Sequence, residues 1–183
     1  MIRIHATKKL LAKLPVDQQG LLPTGAKHLQ LAGNTDSLLS GWHANILSLQ
    51  DRDCILLVHD HTRFPVFIPL VDKEALAALD WHFQDILMNT LLKAGASQAQ
   101  LDSSAAQLSR LYFDNDCDRS VQGTMNQMKN DLETRLWYDS ADVAELLPYS
   151  TSLWLADRPC TVKGKKGCVW PIKAMFALLD GEQ

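Results

Sequence analysis

Residues 160–168 read CTVKGKKGC, two cysteines bracketing three lysines and two glycines with no acid among them. Such residues serve a thiol redox pair, a metal knuckle, a phosphate cradle, or a hairpin with a cationic tip. Cys160 and Cys168 would lie directly opposite only if the loop had an odd residue count; an even loop leaves them diagonal and hard to bridge. Cys54, Cys117, Cys160 and Cys168 form no C-x-x-C, and no histidine pair supplies a zinc spacing. The run lacks G-x-x-x-x-G-K-S/T, so it is no Walker loop. A flexible cationic tip remains, and spacing alone favours a solvated turn. In its functional form, Lys163, Lys165 and Lys166 contact phosphate as point charges. Trp170 beside them either stacks on a base or, the commoner outcome, anchors in the core.

VHDHTRFP places His59 and His61 two apart, on one face of a strand, with Asp60 between them. His43, or His5, arriving from another strand would extend this toward a divalent metal site. A polar hairpin turn explains the same residues more simply. Arg63 is a further candidate anion contact. FDNDCDR sets Asp114, Asp116 and Asp118 at alternate positions, as an EF-hand loop begins, but Arg119 stands where the glycine belongs and Met125 where the glutamate belongs. Asp118 then reads as a helix cap, with the other acids near a helix start.

In SVQGTMNQMKN, Gln122, Asn126, Lys129 and Asn130 form a polar helix side, and Gly123 costs that helix about 1 kcal/mol relative to alanine. A close neighbour or a ligand would explain the cost. Amides can read base edges, although most such stripes face water. His43 and Asn45 follow a glycine-rich stretch, but no G-x-S-x-G elbow surrounds Ser40. Cys54 and Cys117 with these histidines are the raw material of a thiol enzyme; buried structural thiols are the stronger default.

The elements that must position these groups follow from periodicity. Residues 1–5 alternate as a strand, Thr7 caps a helix from Lys8 to Leu14, and residues 15–41 form a long irregular connection with a short strand at HLQLA. ANILSLQ, CILLVHD and FPVFIPL read as an antiparallel meander, with turns at Asp51-Arg52-Asp53 and His61-Thr62-Arg63. Pro65 and Pro69 push the third strand to an edge. From Asp72 the period becomes helical through Leu91, with Gly95 a stop and Ser97 a cap for a helix to about Arg110. YFD is extended, Asp118 opens a helix striped by Val121, Met125, Met128, Leu132 and Leu136, and Ser140 caps a short helix before Pro148. SLWLA reads as a strand leading to the hairpin, and Pro171 opens a terminal helix. The expectation is one α+β domain over residues 1–183: a small antiparallel sheet from the N-terminal strand, the central meander and the C-terminal hairpin, packed with a helical middle.

Bulk charge is only −3 over 183 residues, but it is segregated. Residues 1–30 carry Arg3, Lys8, Lys9, Lys13 and Lys27 against Asp17. Residues 31–157 hold eight bases and eighteen acids, and residues 158–173 hold Arg158, three hairpin lysines and Lys173 with no acid. No apolar run is long enough to cross a bilayer, and the N-terminus lacks the apolar core of a secretory signal, so a cytoplasmic protein with free thiols and no membrane partner is expected.

MIRIHATKKLLAKL, GWHANILSLQDRDCILLVHDHTRFPVFIP and DRSVQGTMNQMK together resemble a bacterial family catalogued only as a domain of unknown function, family 6933, over nearly the whole chain. The resemblance implies a small intracellular bacterial protein and supplies no catalytic residue. On the residues alone, the expectation is a non-enzymatic binding module for nucleic acid or another polyanion, with no cofactor, through Lys8, Lys9, Arg158, Lys163, Lys165, Lys166 and Trp170. One alternative is a small metal- or thiol-dependent hydrolase using His43, His59 and His61. Another is a protein-interaction module, its oligomeric state open.

Overall fold

A computed structural model describes residues 1–23, 36–162 and 167–181. Five strands form one sheet in the order β4-β3-β2-β1-β5: β1 (Ile2–Ala6), β2 (Trp42–Leu49), β3 (Arg52–His59), β4 (Pro65–Ile68) and β5 (Leu111–Asp114). The meander β2-β3-β4 is antiparallel, and β4 is the edge strand that its prolines demand. The first turn is Gln50-Asp51, not Asp51 to Asp53. Leu49 pairs with Arg52, and Gln50 and Asp51 take φ of 49° and 60°, which makes a tight two-residue hairpin.

The class is α+β, with a mixed sheet. β1 lies between β2 and β5 and runs parallel to both. Parallel neighbours need a crossover of a dozen residues or more, and the chain between Ala6 and Trp42 is long enough to supply it. HLQLA lies outside the described residues. The C-terminal hairpin, β6 (Cys160–Thr161) with β7 (Cys168–Val169), stands apart as its own two-stranded sheet and does not join β1.

Alternation along the strands gives the sheet two faces. One carries Ile2, Ile4, Trp42, Ala44, Ile46, Ile55, Leu57 and Val66. It is covered by α1 (Lys8–Leu11), α3 (Leu79–Lys93) and α7 (Pro171–Leu179) through Leu10, Phe83, Leu87, Met175 and Leu179. The other face carries Leu47, Leu49, Cys54, Leu56, Val58 and Phe67, and packs on the long helix α5 (Arg119–Tyr138) through the expected stripe. Each such side chain taken fully from water contributes roughly 1.5–3 kcal/mol.

Caps largely follow the sequence. Asp72 accepts from Ala75 N–H at 2.8 Å, Ser97 and Gln100 close a reciprocal capping box, and Asp118 accepts from Ser120 and Val121. The helix expected from Asp72 breaks at Ala78 into α2 (Lys73–Ala77) and α3. Gly95, at φ 88°, ends α3, with Ala96 N–H returning to Leu91 C=O; α4 (Gln98–Gln107) follows.

Two expectations fail locally. Ser140 does not start a helix but ends α5, at φ 51° with Ala141 N–H returning to Leu136 C=O, and Asp142 caps the 3-10 turn Val143–Glu145. SLWLA is not a strand; it belongs to α6 (Pro148–Ala156), which Pro148 opens. Short apolar runs do not separate helix from strand by period. Here tertiary contact decides. Ser152 Oγ accepts the Phe67 N–H of edge strand β4 at 2.9 Å, while Leu155 and Ala156 enter the two cores.

Candidate functional site

Strand register assembles a polar row that residue spacing does not reveal. His5 is level with Asp114 of β5 on one side and His43 of β2 on the other. All three lie on the face where α5 packs, at the carboxyl ends of β1 and β5. His5 Nδ1 is 2.7 Å from Asp114 Oδ1, and His43 Nδ1 is 2.6 Å from Asp60 Oδ1. Asp60 Oδ2 also lies 3.6 Å from His5 Nε2. Gly41 permits this approach: at φ 89°, a Cβ on it would stand 3.1 Å from Asp60 Oδ2.

His43 is committed to architecture. Its Nε2 accepts the backbone N–H of Asp118 at 2.5 Å, so the proton of the neutral ring sits on Nδ1 and goes to Asp60. Among the described residues no backbone group ties the His5 ring, which faces a carboxylate at each nitrogen.

The three-histidine metal site is not assembled. His59 pairs with Trp42 in the ladder and His43 with Val58, so the two project from opposite faces of the sheet. His59 is fully buried, with Nδ1 2.9 Å from Thr62 Oγ1 and its ring edge-on to Trp42; desolvation lowers its pKa from 6.5 to about 4. His61 is exposed. Among the described residues, no three His, Cys, Asp or Glu side chains are grouped to hold a metal ion. Burial pushes the Cys54 and Cys117 thiols up, and Cys117 Sγ points to the His5 carbonyl at 3.7 Å rather than to an imidazole.

α5 lies between two cavities. On one flank Gln122 and Asn126 join Thr7, Asn45 and Met125 around about 200 Å³. Of the expected polar side, Lys129 instead pairs with Glu133 at 2.6 Å, and Asn130 is exposed. On the other flank, Ser120, Gly123, Thr124, Gln127 and Asp131 face Leu155 and the stretch Arg158–Thr161 across about 630 Å³. A second hollow of about 370 Å³ shares Asp131 and Arg158 and runs on to Arg135, Tyr138 and Trp154. The hollows together follow one stripe of a helix about 30 Å long. The guanidinium carbons of Arg135 and Arg158 stand 4.7 Å and 5.0 Å from the Trp154 ring centre. Arg158 also pairs with Asp131 at 3.0 Å. A Cβ on Gly123 would meet nothing within 4 Å, so no close neighbour among the described residues accounts for this glycine.

Lys8 and Lys9 are exposed on α1, which packs on the opposite sheet face from the hairpin base at Cys160. Lys8 and Lys9 thus lie across the sheet from the Cys160 end of the hairpin. Lys163, Lys165 and Lys166 lie outside the described residues; Thr161, two residues before Lys163 in the chain, lines the groove. In this register Cys160 pairs with Val169, so the two cysteines sit on adjacent rungs and are free. Trp170 is 40% exposed, donates to Asp157 Oδ1 at 3.0 Å, and has Lys173 Nζ 5.4 Å from its ring centre.

Sequence reasoning did not single out Ser120, Trp154 or the His5–Asp114 pair, because each acquires meaning only from register and helix packing. Arg63 is 3% exposed, at φ 60°. Its guanidinium donates to the Asp60 carbonyl and, at 3.2 Å, to Ser120 Oγ, while Nε is without a partner among the described residues. Burial lowers its pKa, opposed by the nearby Asp60 and Asp118 charges.

No helix among the described residues is long and apolar enough to cross a membrane. Neither the curated proteins nor the solved structures contain a match to this chain. A family model described as Domain of unknown function (DUF6933) matches residues 3–174, and the chain belongs to that family.

Proposed function

We propose that the protein is a binding protein for single-stranded nucleic acid, which lies along the groove between α5 and the stretch 158–161. The observation that supports this most is the union of a long groove with cationic and aromatic groups on its rim. The chain passes from Thr161, in the groove wall, directly to Lys163, Lys165 and Lys166. Arg135 and Arg158 pair with Asp139 and Asp131, but their side chains are 36% and 43% exposed. Both guanidinium groups therefore keep N–H donors open to solvent and can take a phosphate as a further partner while the pairs persist. Tyr138, 80% exposed, lines the far hollow, and Trp137, 81% exposed, precedes it at the end of α5; each offers a flat surface on which a base stacks. Stacking favours a single strand over a featureless polyanion.

The test is a titration of fluorescein-labelled oligothymidylate at low salt, read by anisotropy and mapped by backbone amide shifts. Saturable binding with shifts along α5 and 158–169 is expected. No binding at low salt, or shifts confined to other elements, contradicts the proposal.

A second reading rests on His5. An imidazole oriented by Asp114 at 2.7 Å has the arrangement of a general acid–base group, and Thr7, two residues on in the chain, lines the small polar cavity with Asn45. A hydrolytic activity lost in His5→Gln and kept in His61→Gln would displace the binding proposal in its favour.

A further inference from the structure

The beginning of α5 holds a buried cation whose charge no carboxylate meets directly. Among the described residues no Asp or Glu oxygen lies within 4.0 Å of the Arg63 nitrogens. Buried guanidinium groups are normally paired, because an ion removed from water without a counter-charge is costly. Arg63 instead spends two N–H bonds on neutral oxygens, those of Asp60 C=O and Ser120 Oγ, and leaves Nε bare. It does so from a left-handed backbone that non-glycine residues rarely adopt.

Ser120 is the route from this cation to the groove. Its oxygen accepts from Arg63, so its own proton must point elsewhere. No described residue accepts that proton, and Ser120 lines the cavity of about 630 Å³. Gly123, one turn on, leaves the helix surface bare there. Arg158 faces the same space from the opposite wall. Two carboxylates oppose an incoming anion. Asp118 is turned to the helix's own N–H groups at Ser120 and Val121, and Asp131 is tied to Arg158 at 3.0 Å.

We infer that Ser120, backed by the buried Arg63, receives a phosphate group of the ligand at the α5 end of the groove. The inference rests on the groove reading and adds to it a point of contact. A phosphate oxygen there accepts the Ser120 hydroxyl proton and lies one hydrogen bond from the guanidinium. This chain of donors aimed at one anion is the charge-assisted arrangement that makes such bonds strong.

The test uses the intact protein with two probes, inorganic phosphate and labelled oligothymidylate, at constant ionic strength. Phosphate, but not chloride, is expected to shift the Ser120 and Gly123 amides saturably. Ser120→Ala should weaken phosphate binding roughly tenfold, as loss of a charge-assisted bond does. If Ser120→Ala fails to fold, Gly123→Leu, which fills the cavity from an open position, should block phosphate equally. Phosphate shifts that are absent, or unchanged in both variants, overturn the inference. If the oligonucleotide still binds along α5 in that case, the groove reading stands without it; if neither probe binds at low salt, both fall together.

Discussion

The backbone N–H of Asp118 donates to Nε2 of His43, and this bond ties β2 to the capping residue of α5. It puts a histidine where a general base was conceivable and uses it as a fastener instead. Replacing His43 with leucine removes this acceptor and leaves Asp60 without its 2.6 Å partner. A loss of about 2–4 kcal/mol is expected, with faster hydrogen exchange at Ser120 and Val121 than in the rest of α5. Unchanged exchange at those amides would mean that the fastener is incidental.

His59 predicts an acid-sensitive fold. Its pKa is about 4 in the folded protein against 6.5 for the free side chain. A depressed histidine pKa means that the unfolded chain takes up the proton first as pH falls. The neutral ring's contribution is therefore complete above pH 6.5 and is lost progressively toward pH 4. The span corresponds to about 3 kcal/mol. Urea midpoints at pH 7 and pH 5 should differ in the native protein. His59→Asn, which keeps an acceptor for Thr62, should show a smaller difference; an equal one would assign the acid sensitivity to other groups.

Gly123 should be replaceable without steric cost. A Cβ there meets nothing within 4 Å in the middle of a helix, so Gly123→Ala should stabilise the protein by roughly 0.5–1 kcal/mol. Denaturant unfolding measures this directly. A loss of stability would show that the bare helix surface is filled in solution.

The thiols should react in order of access. Cys168 is exposed, Cys117 and Cys160 are intermediate, and Cys54 is buried, with burial pushing the last three up. A thiol reagent should label Cys168 first and Cys54 only on unfolding. Rapid formation of a Cys160–Cys168 disulfide under mild oxidation would contradict the observed hairpin register.

Much of this architecture is legible in the sequence. The alternation of MIRIH, the meander and the stripe from Val121 to Leu136 each declare a period and a buried face. Asp72, Ser97 and Asp118 cap as their side chains require. What was not legible is long-range. Nothing local states that His5 lies beside Asp114, or that His43 and His59 point to opposite faces, because a one-residue change of register reverses both relations. SLWLA misled because its apolar residues serve two cores at once, which erases the helical period. The groove was hidden for the same reason as the register: its walls are α5, α6 and the chain after α6, brought together only by packing on the sheet.

The most direct measurement is the salt dependence of oligothymidylate binding by the native protein and by a variant with Lys163, Lys165 and Lys166 changed to alanine. Each phosphate contact by a single strand contributes about 0.7 to the slope of log affinity against log salt. The account predicts a steep negative slope for the native protein, shallower by roughly 2 in the variant. Absence of binding at low salt, or identical slopes for the two proteins, would contradict it.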